Sequence, residues 1–267
     1  MHEELILSPS EEELARSHFR GLSPGQIDYP LGPIDERLPF PIYFRFVLNQ
    51  RQIVKTHLEI GWLHQGIEKL LEQAEPEEGC QIIRRVNPLC PNTLEHHYRL
   101  AIGMEPISED VLRQEKRDYY LYFIRQILEH LEEDFLLRLL DVDLERFVSR
   151  FKNSKRVHRR LSGLGKISLE MAVSYGLSGP TLKACENGQN GNVCARLCAK
   201  LEEALNTSVD SHPEGALIIS HHPGRLRIRT PSFVHAAALP VFLRGQQIDD
   251  VKLIMLSLGL VGSEIDR

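Results

Sequence analysis

The chain has 267 residues, a formal net charge of −5, 42% hydrophobic residues and 26% charged ones. That length supports one large core or two modest ones, and the acidic balance gives no overall attraction to nucleic acid or anionic membrane. No apolar run approaches the roughly 20 residues of a membrane-spanning helix, Met1-His2-Glu3-Glu4 opens no signal peptide, and five irregularly spaced cysteines point to reduced thiols in a cytoplasmic compartment.

Residues 1–30 are polar, acidic and broken by Ser-Pro and Pro-Gly steps, which predicts an irregular arm with a short helix over 11–19. The run Ile42-Tyr43-Phe44-Arg45-Phe46-Val47-Leu48 is rich in β-formers. Asn49-Gln50, a weak turn signal, returns it into 51–55 as a hairpin. Ile60, Leu63, Ile67, Leu70 and Leu71 recur three and four residues apart, so a helix with one apolar face is expected over 58–73. A second helix fits 92–102. The longest helical stretch runs over 119–151, with Leu121, Ile124, Leu128, Leu131, Phe135 and Leu139 on one face and a break at Asp141-Val142-Asp143. The basic stretch 150–166 reads as a solvated helix end or loop. Ser168 caps a short helix that Gly176 ends, and 192–205 is amphipathic. Residues 217–219 and 226–228 then read as strands around His221-His222-Pro223-Gly224, with Leu226 and Ile228 on one face and Arg225, Arg227 and Arg229 on the other. Helices over 235–243 and 249–258 follow. The expected fold class is α+β, mostly helical, with small β-hairpins near both ends, as a single domain over 31–267 behind the arm.

Few side-chain constellations point to chemistry. His64 and Glu68 stand four apart on a predicted helix and share a face, which reads as a buried pair orienting that helix rather than as two metal ligands. Cys194 and Cys198 have ligand spacing but lie in one stripe with Leu197, Leu201 and Leu205, so they read as core. Cys80 and Cys185 have no Cys or His at ligand spacing. His96-His97 and His221-His222 are adjacent pairs whose side chains diverge. Gly163-Leu164-Gly165 lacks the strand and third glycine of a dinucleotide loop, and no Walker sequence, Gly-x-Ser-x-Gly elbow or zinc signature is present.

Four collinear segments carry a resemblance. Leu31-Gly32-Pro33-Ile34-Asp35-Glu36 is similar to a Gly-Pro-x-His-Pro loop. Gly61-Trp62-Leu63-His64-Gln65-Gly66-Ile67-Glu68-Lys69-Leu70 is similar to a Gly-x-x-His-Arg-Gly-Ile-Glu-Lys motif. Arg85-Val86-Asn87-Pro88-Leu89-Cys90-Pro91 stands where Arg-Ile-Cys-Gly-x-Cys-Pro is found. Gly163 onward, through Gly176-Leu177-Ser178-Gly179-Pro180-Thr181-Leu182-Lys183-Ala184, Arg227-Ile228-Arg229-Thr230-Pro231 and Glu264-Ile265-Asp266-Arg267, follows the remaining blocks. These are the motifs of the superfamily that joins the large subunits of [NiFe] hydrogenases to the 49-kDa (D-type) quinone-site subunits of complex I. The chain resembles a truncated and degenerate member, its central bundle shortened between Glu133 and Arg159, with a second trim near Ser220 to Arg225.

The resemblance implies a hydrogenase-large-subunit-like helical core, and it allows the family's chemistry to be tested position by position. A nickel–iron centre needs four soft thiolates. Of the two Cys-x-x-Cys pairs in hydrogenases, only Cys90 remains; Asn87, Val261 and Glu264 occupy the other ligand positions, so no metal is expected. In the complex I branch a loop His and a later Tyr line the quinone-head pocket. Here Asp35 and Pro39 fall at the loop positions and Pro88 at the tyrosine position. Asp35, His64, Glu68, Cys90, Arg229 and Glu264 are expected around the former pocket, with Asp35 or Glu68 as proton carriers and Arg229 and Glu264 as cofactor-binding residues. Two readings stay open. One is a component of a complex I-like or membrane-bound hydrogenase-like redox complex, docked to a small iron–sulfur subunit that carries the clusters. It would touch the cytoplasmic face of the membrane through partners and admit quinone but bind no other cofactor. The other is a non-catalytic structural or assembly homologue that keeps the docking surface.

Overall fold

The computed structural model describes residues 22–131, 218–222 and 225–265. Three antiparallel strands, β1 (Gln26–Leu31), β2 (Tyr43–Asn49) and β3 (Gln52–Glu59), form a sheet with β2 in the centre. Tyr43 to Leu48 are all buried, which marks β2 as covered on both faces. The one cation among them, Arg45, donates to both carboxylate oxygens of Asp28 on β1, at 2.9 and 3.0 Å. The hairpin turn places Gln50 at φ 58, so it is left-handed without a glycine. The outer edge of β3 is closed by a later segment: Gly245 donates to the Ile53 carbonyl at 2.8 Å and Ile53 to the Gln246 carbonyl at 2.8 Å.

Four helices follow: α1 (Ile67–Gln73), α2 (Pro76–Ile83), α3 (Pro91–Ala101) and α4 (Glu109–Leu131). The hairpin β4 (Ile218–His222) and β5 (Arg225–Arg229) leads into α5 (Pro231–Leu243), α6 (Val251–Ser257) and the short α7 (Gly262–Ile265). Two apolar clusters result. The larger joins the sheet's inner residues, such as Phe44 and Phe46, to Tyr119, Phe123 and Ile127 of α4 and to α5 and α6. The smaller joins α1, α2 and α3 to Leu226 and Ile228 of β5.

Carboxylates organise the joints, the buried Glu115 first among them. Asn92 and Thr93, in the first turn of α3, point their backbone N–H groups at Glu115 of α4, at 2.7 and 2.6 Å. The Asn92 amide and Thr93 hydroxyl donate to the same carboxylate at 2.9 and 2.7 Å. The residue preceding α3, Cys90, offers no side-chain cap, so a carboxylate from another helix does the capping. On α1, Glu68 accepts from the Ile228 N–H at 2.8 Å and Glu72 from the Leu226 N–H at 3.0 Å. Four helical residues advance about 6 Å and two strand residues about 6.8 Å, so an i, i+4 carboxylate pair matches alternate N–H groups of a strand edge.

The predicted hairpins, the helix over 92–102 and the helices near 235–243 and 249–258 are present. Other expectations are corrected. Regular structure reaches into the segment read as an irregular arm, because β1 pairs with β2 along its whole length; its Pro30 is tolerated on an edge strand. The helix expected over 58–73 starts only at Ile67: β3 runs to Glu59, and left-handed Gly66 (φ 63) immediately precedes the helix. The helix α2 went unread, although Pro76 at its start and Glu77 and Glu78 in its first turn are helix-start signals. Its Gly79 is required because a Cβ there would collide with the Tyr98 ring. The long helix begins at Glu109 and buries Leu112, Tyr119, Tyr120, Phe123 and Ile127, a face that overlaps the expected one at Ile124 but is turned from it. The helices over 11–19, 168–176 and 192–205, the part of 119–151 past Leu131, the basic stretch 150–166, the segment 176–184 and Cys185, Cys194 and Cys198 lie outside the described residues.

Replacing Glu115 by Ala is expected to lower stability by about 1.5–3 kcal/mol in urea denaturation, because a charge-accepting cap is removed from a buried helix start. An unchanged midpoint would show the cap to be dispensable.

Candidate functional site

The link between α2 and α3 runs between the two apolar clusters and carries Asn87, Pro88, Leu89 and Cys90. Asn87 is fully buried, and so is Glu264 of α7. The Asn87 amide donates to Glu264 Oε1 at 2.5 Å. The side-chain carbonyl oxygen of Asn87 accepts from the Leu89 N–H at 2.9 Å, which fixes the amide's orientation and turns the chain toward Cys90. Burial, then the Glu264 and Glu115 carboxylates, push the Cys90 thiol well above its usual range, against a weaker opposing hydrogen bond with Asn87. Asn87, Cys90 and Glu264 thus share one buried spot.

The C-terminal segment is held there by hydroxyls. Tyr119 of α4 donates to the Gly259 carbonyl at 2.8 Å, and Thr230, between β5 and α5, donates to the Glu264 carbonyl at 2.9 Å. The Val261 N–H donates to the Ser232 hydroxyl at 3.2 Å. His235 Nδ1 lies 3.2 Å from the Leu258 carbonyl. These buried groups, which leave the helical pattern between α6 and α7, find side-chain partners from α4 or the start of α5.

Beside this spot opens a cleft of about 220 Å³. Pro39, Phe40, Leu63, Pro88, Leu89, Tyr122, Phe123, Leu256, Leu260, Val261, Gly262 and Ser263 line it. Its floor is tight at Gly262, where a Cβ would come within 2.8 Å of the Phe40 ring and 2.9 Å of Leu63. Among the described residues the lining has no charged side chain, so the cleft suits an uncharged group.

The expected site residues fall into two sets. Cys90 and Glu264 come together with Asn87, and Val261 lines the cleft next to them. Pro39 and Pro88, at the positions where the resemblance places hydrogen-bonding side chains, both stand on the cleft wall. Asp35 is engaged elsewhere: Arg37 holds its carboxylate through Nε at 2.8 Å and Nη2 at 2.5 Å, and that contact lowers the carboxyl's pKa below its ordinary range. His64 is exposed in the loop before α1 and Glu68 is committed to β5, so the expected shared face does not form. Arg229 closes β5, opposite Ile218 and one residue before Thr230. Tyr122, Phe40, Leu63 and Ser263 went unread as site residues. The helix over 119–151 was visible, but its solvent-to-cleft stripe was not, because Tyr122 follows two buried tyrosines without a break in polarity.

The donor set does not fit a nickel–iron centre. Valine offers no ligand atom, Asn87 and Glu264 offer hard oxygens in groups already bonded to each other, and Cys90 is a single thiol where four thiolates are needed. Among the described residues no group of three or more His, Cys, Asp or Glu side chains is placed to hold a metal.

A buried C-terminal turn thus faces the start of α3, with an apolar cleft beside it, and similarity to known proteins points to a complex I-like or membrane-bound hydrogenase-like subunit. A sequence profile of the respiratory-chain NADH dehydrogenase 49 Kd subunit matches residues 215–267. The carbon monoxide-induced hydrogenase of Rhodospirillum rubrum is 19% identical over 86% of this chain and 96% of its own length. A D-type NADH-quinone oxidoreductase chain of Solibacter usitatus is 24% identical over 72% of this chain and 63% of its own. A chain in the structure of the membrane-bound sulfane sulfur reductase, an archaeal respiratory membrane complex, superposes with a TM-score of 0.66 at 17% identity, covering 91% of this chain and 99% of that one. These similarities support the superfamily that joins complex I 49-kDa (D-type) subunits to [NiFe] hydrogenase large subunits. Among the described residues no helix is long and apolar enough to cross a membrane.

Two outcomes test the buried spot. Asn87→Asp puts a second carboxylate against Glu264, so it is expected to destabilise the fold strongly at pH 7. Its deficit relative to wild type should shrink as pH falls and one proton is shared between the two groups, which denaturation midpoints from pH 7 to pH 4.5 would read. Cys90 should resist iodoacetamide at pH 8 in the folded protein and react after unfolding in guanidinium, as followed by peptide mass spectrometry.

Proposed function

We propose that the chain is part of a complex I-like redox complex that works without a nickel–iron centre and presents an apolar cleft where relatives perform their chemistry. The observation that carries this reading is the Asn87–Glu264 hydrogen bond, which joins two positions that the resemblance assigns to metal thiolates. The names of relatives support a multi-subunit setting: they are D-type chains of an NADH-quinone oxidoreductase and of an F(420)H(2) dehydrogenase. In this reading a small iron–sulfur protein binds against the chain and supplies electrons, and partners hold both at the cytoplasmic face of the membrane. The cleft receives the ring of a quinone. This chain contributes the apolar walls, the exclusion of water and the orientation of the ring, while the redox change belongs to the quinone and the partner's clusters.

A second reading has its own observation. Pro39 and Pro88 stand on the cleft wall and offer no side-chain proton or hydrogen bond. That favours a docking component that has left catalysis. Purifying the assembled complex through this chain, followed by metal analysis and identification of the co-purifying proteins, tests the common core. An iron–sulfur protein should accompany it, with iron present and nickel absent in proportion to this chain. One nickel per chain, or a stable monomer without partners, would overturn it. Leu63→Trp, which plugs the cleft, separates the two readings: quinone-linked turnover of the complex is lost if the cleft works, and is unchanged if the chain only docks.

A further inference from the structure

The cleft is not wholly without hydrogen-bonding capacity. Among the described residues that line it, two side chains carry a polar atom: Tyr122, on α4, and Ser263, on α7. Tyr122 is 40% exposed, and its ring meets Phe123 edge-on, with centroids 5.2 Å apart at 86°. That contact orients the Tyr122 ring against a neighbour whose own side chain is buried in the larger core. Ser263 follows Gly262, whose lack of a side chain lets the C-terminal turn approach Phe40 and Leu63. Among the described residues, neither hydroxyl is engaged in a hydrogen bond. This is unlike Tyr119, Thr230 and Ser232, whose hydroxyls are all spent on holding the chain. Two uncommitted donors on otherwise apolar walls select a particular chemistry. A saturated hydrocarbon would leave the hydroxyls desolvated and unmet, and a charged group would find no counter-charge.

We propose that Tyr122 and Ser263 are the specificity-determining residues of the cleft, donating hydrogen bonds to the oxygens of a flat, uncharged, acceptor-bearing ring. They replace the donors that Pro39 and Pro88 do not supply. The donation comes from α4 and α7, whereas the resemblance places donors in the loop around Pro39 and the link around Pro88. The proposal rests on the reading of the cleft as a ring-binding site and adds which atoms choose the ring. A hydrogen bond to an uncharged acceptor is worth about five- to tenfold in affinity.

The test uses the purified complex and two probes of the same skeleton, menadione and 2-methylnaphthalene, which differ by the two ring carbonyls. Binding is followed by ligand-observed NMR titration. Wild type should prefer menadione by about tenfold or more. Tyr122→Phe and Ser263→Ala, which remove one hydroxyl each and leave the cleft's shape, should each weaken menadione by about five- to tenfold and leave 2-methylnaphthalene unchanged. If wild type binds menadione and both variants bind it equally well, the assignment of Tyr122 and Ser263 is overturned while the cleft reading stands. If wild type binds both probes alike, the cleft fills without reading acceptors and the assignment falls. If wild type binds neither probe, the ring-binding reading fails and takes the assignment with it.

Discussion

The fully buried hydrogen bond between Asn87 and Glu264 is the contact on which the site depends. It joins a link between two helices to a turn near the C-terminus, 177 positions apart in sequence. A buried carboxylate is tolerated only where donors meet it, so its presence requires the chain to deliver an amide to that point. Asn87 is itself fixed by the Leu89 N–H, and Glu264 by the hydroxyl of Thr230 on its own carbonyl. The two ends are therefore aligned before they meet, and their side-chain contact completes rather than creates the geometry. The resemblance assigns both positions to metal thiolates in the hydrogenase branch. Here a hydrogen bond makes the junction, and the surrounding scaffold is kept.

That substitution changes what the neighbouring thiol can do. Cys90 lies among apolar side chains beside a carboxylate, an environment that favours the protonated form. Burial first, and then the carboxylate that holds Asn87, lower the nucleophilicity of Cys90.

Much of this was legible in the sequence where a local signal and a tertiary consequence coincide. The hairpin β4–β5 was readable because Leu226 and Ile228 alternate with arginines, and the structure buries the first pair while Arg227 is exposed. Collinearity with the superfamily grouped Asn87, Cys90, Val261 and Glu264, and in the structure the first two and Glu264 meet with Val261 beside them. What was missed depended on backbone conformation or on distant partners. The apolar spacing across Ile60, Leu63 and Ile67 mimicked one helix, yet left-handed Gly66 separates a loop from a short helix. His64 and Glu68 therefore never share a face. Asp35 looked like a pocket acid because of its place in the loop, and nothing in the sequence signalled that Arg37, two residues later, would claim it. Tyr122 gave no signal of its own, because being on the rim of a cleft is a property of the packed helix and not of its neighbours in sequence.

The carboxylates on α1 have an effect beyond fastening a hairpin. A two-stranded ribbon leaves a row of unpaired amides along its outer border, a template onto which a foreign extended segment can add. Glu68 and Glu72 occupy the Ile228 and Leu226 amides on that border of β5. That border of β5 is thereby closed to strand addition, and association along it is left to side-chain surfaces. Fidelity of assembly begins with denying the wrong neighbour a backbone to bind.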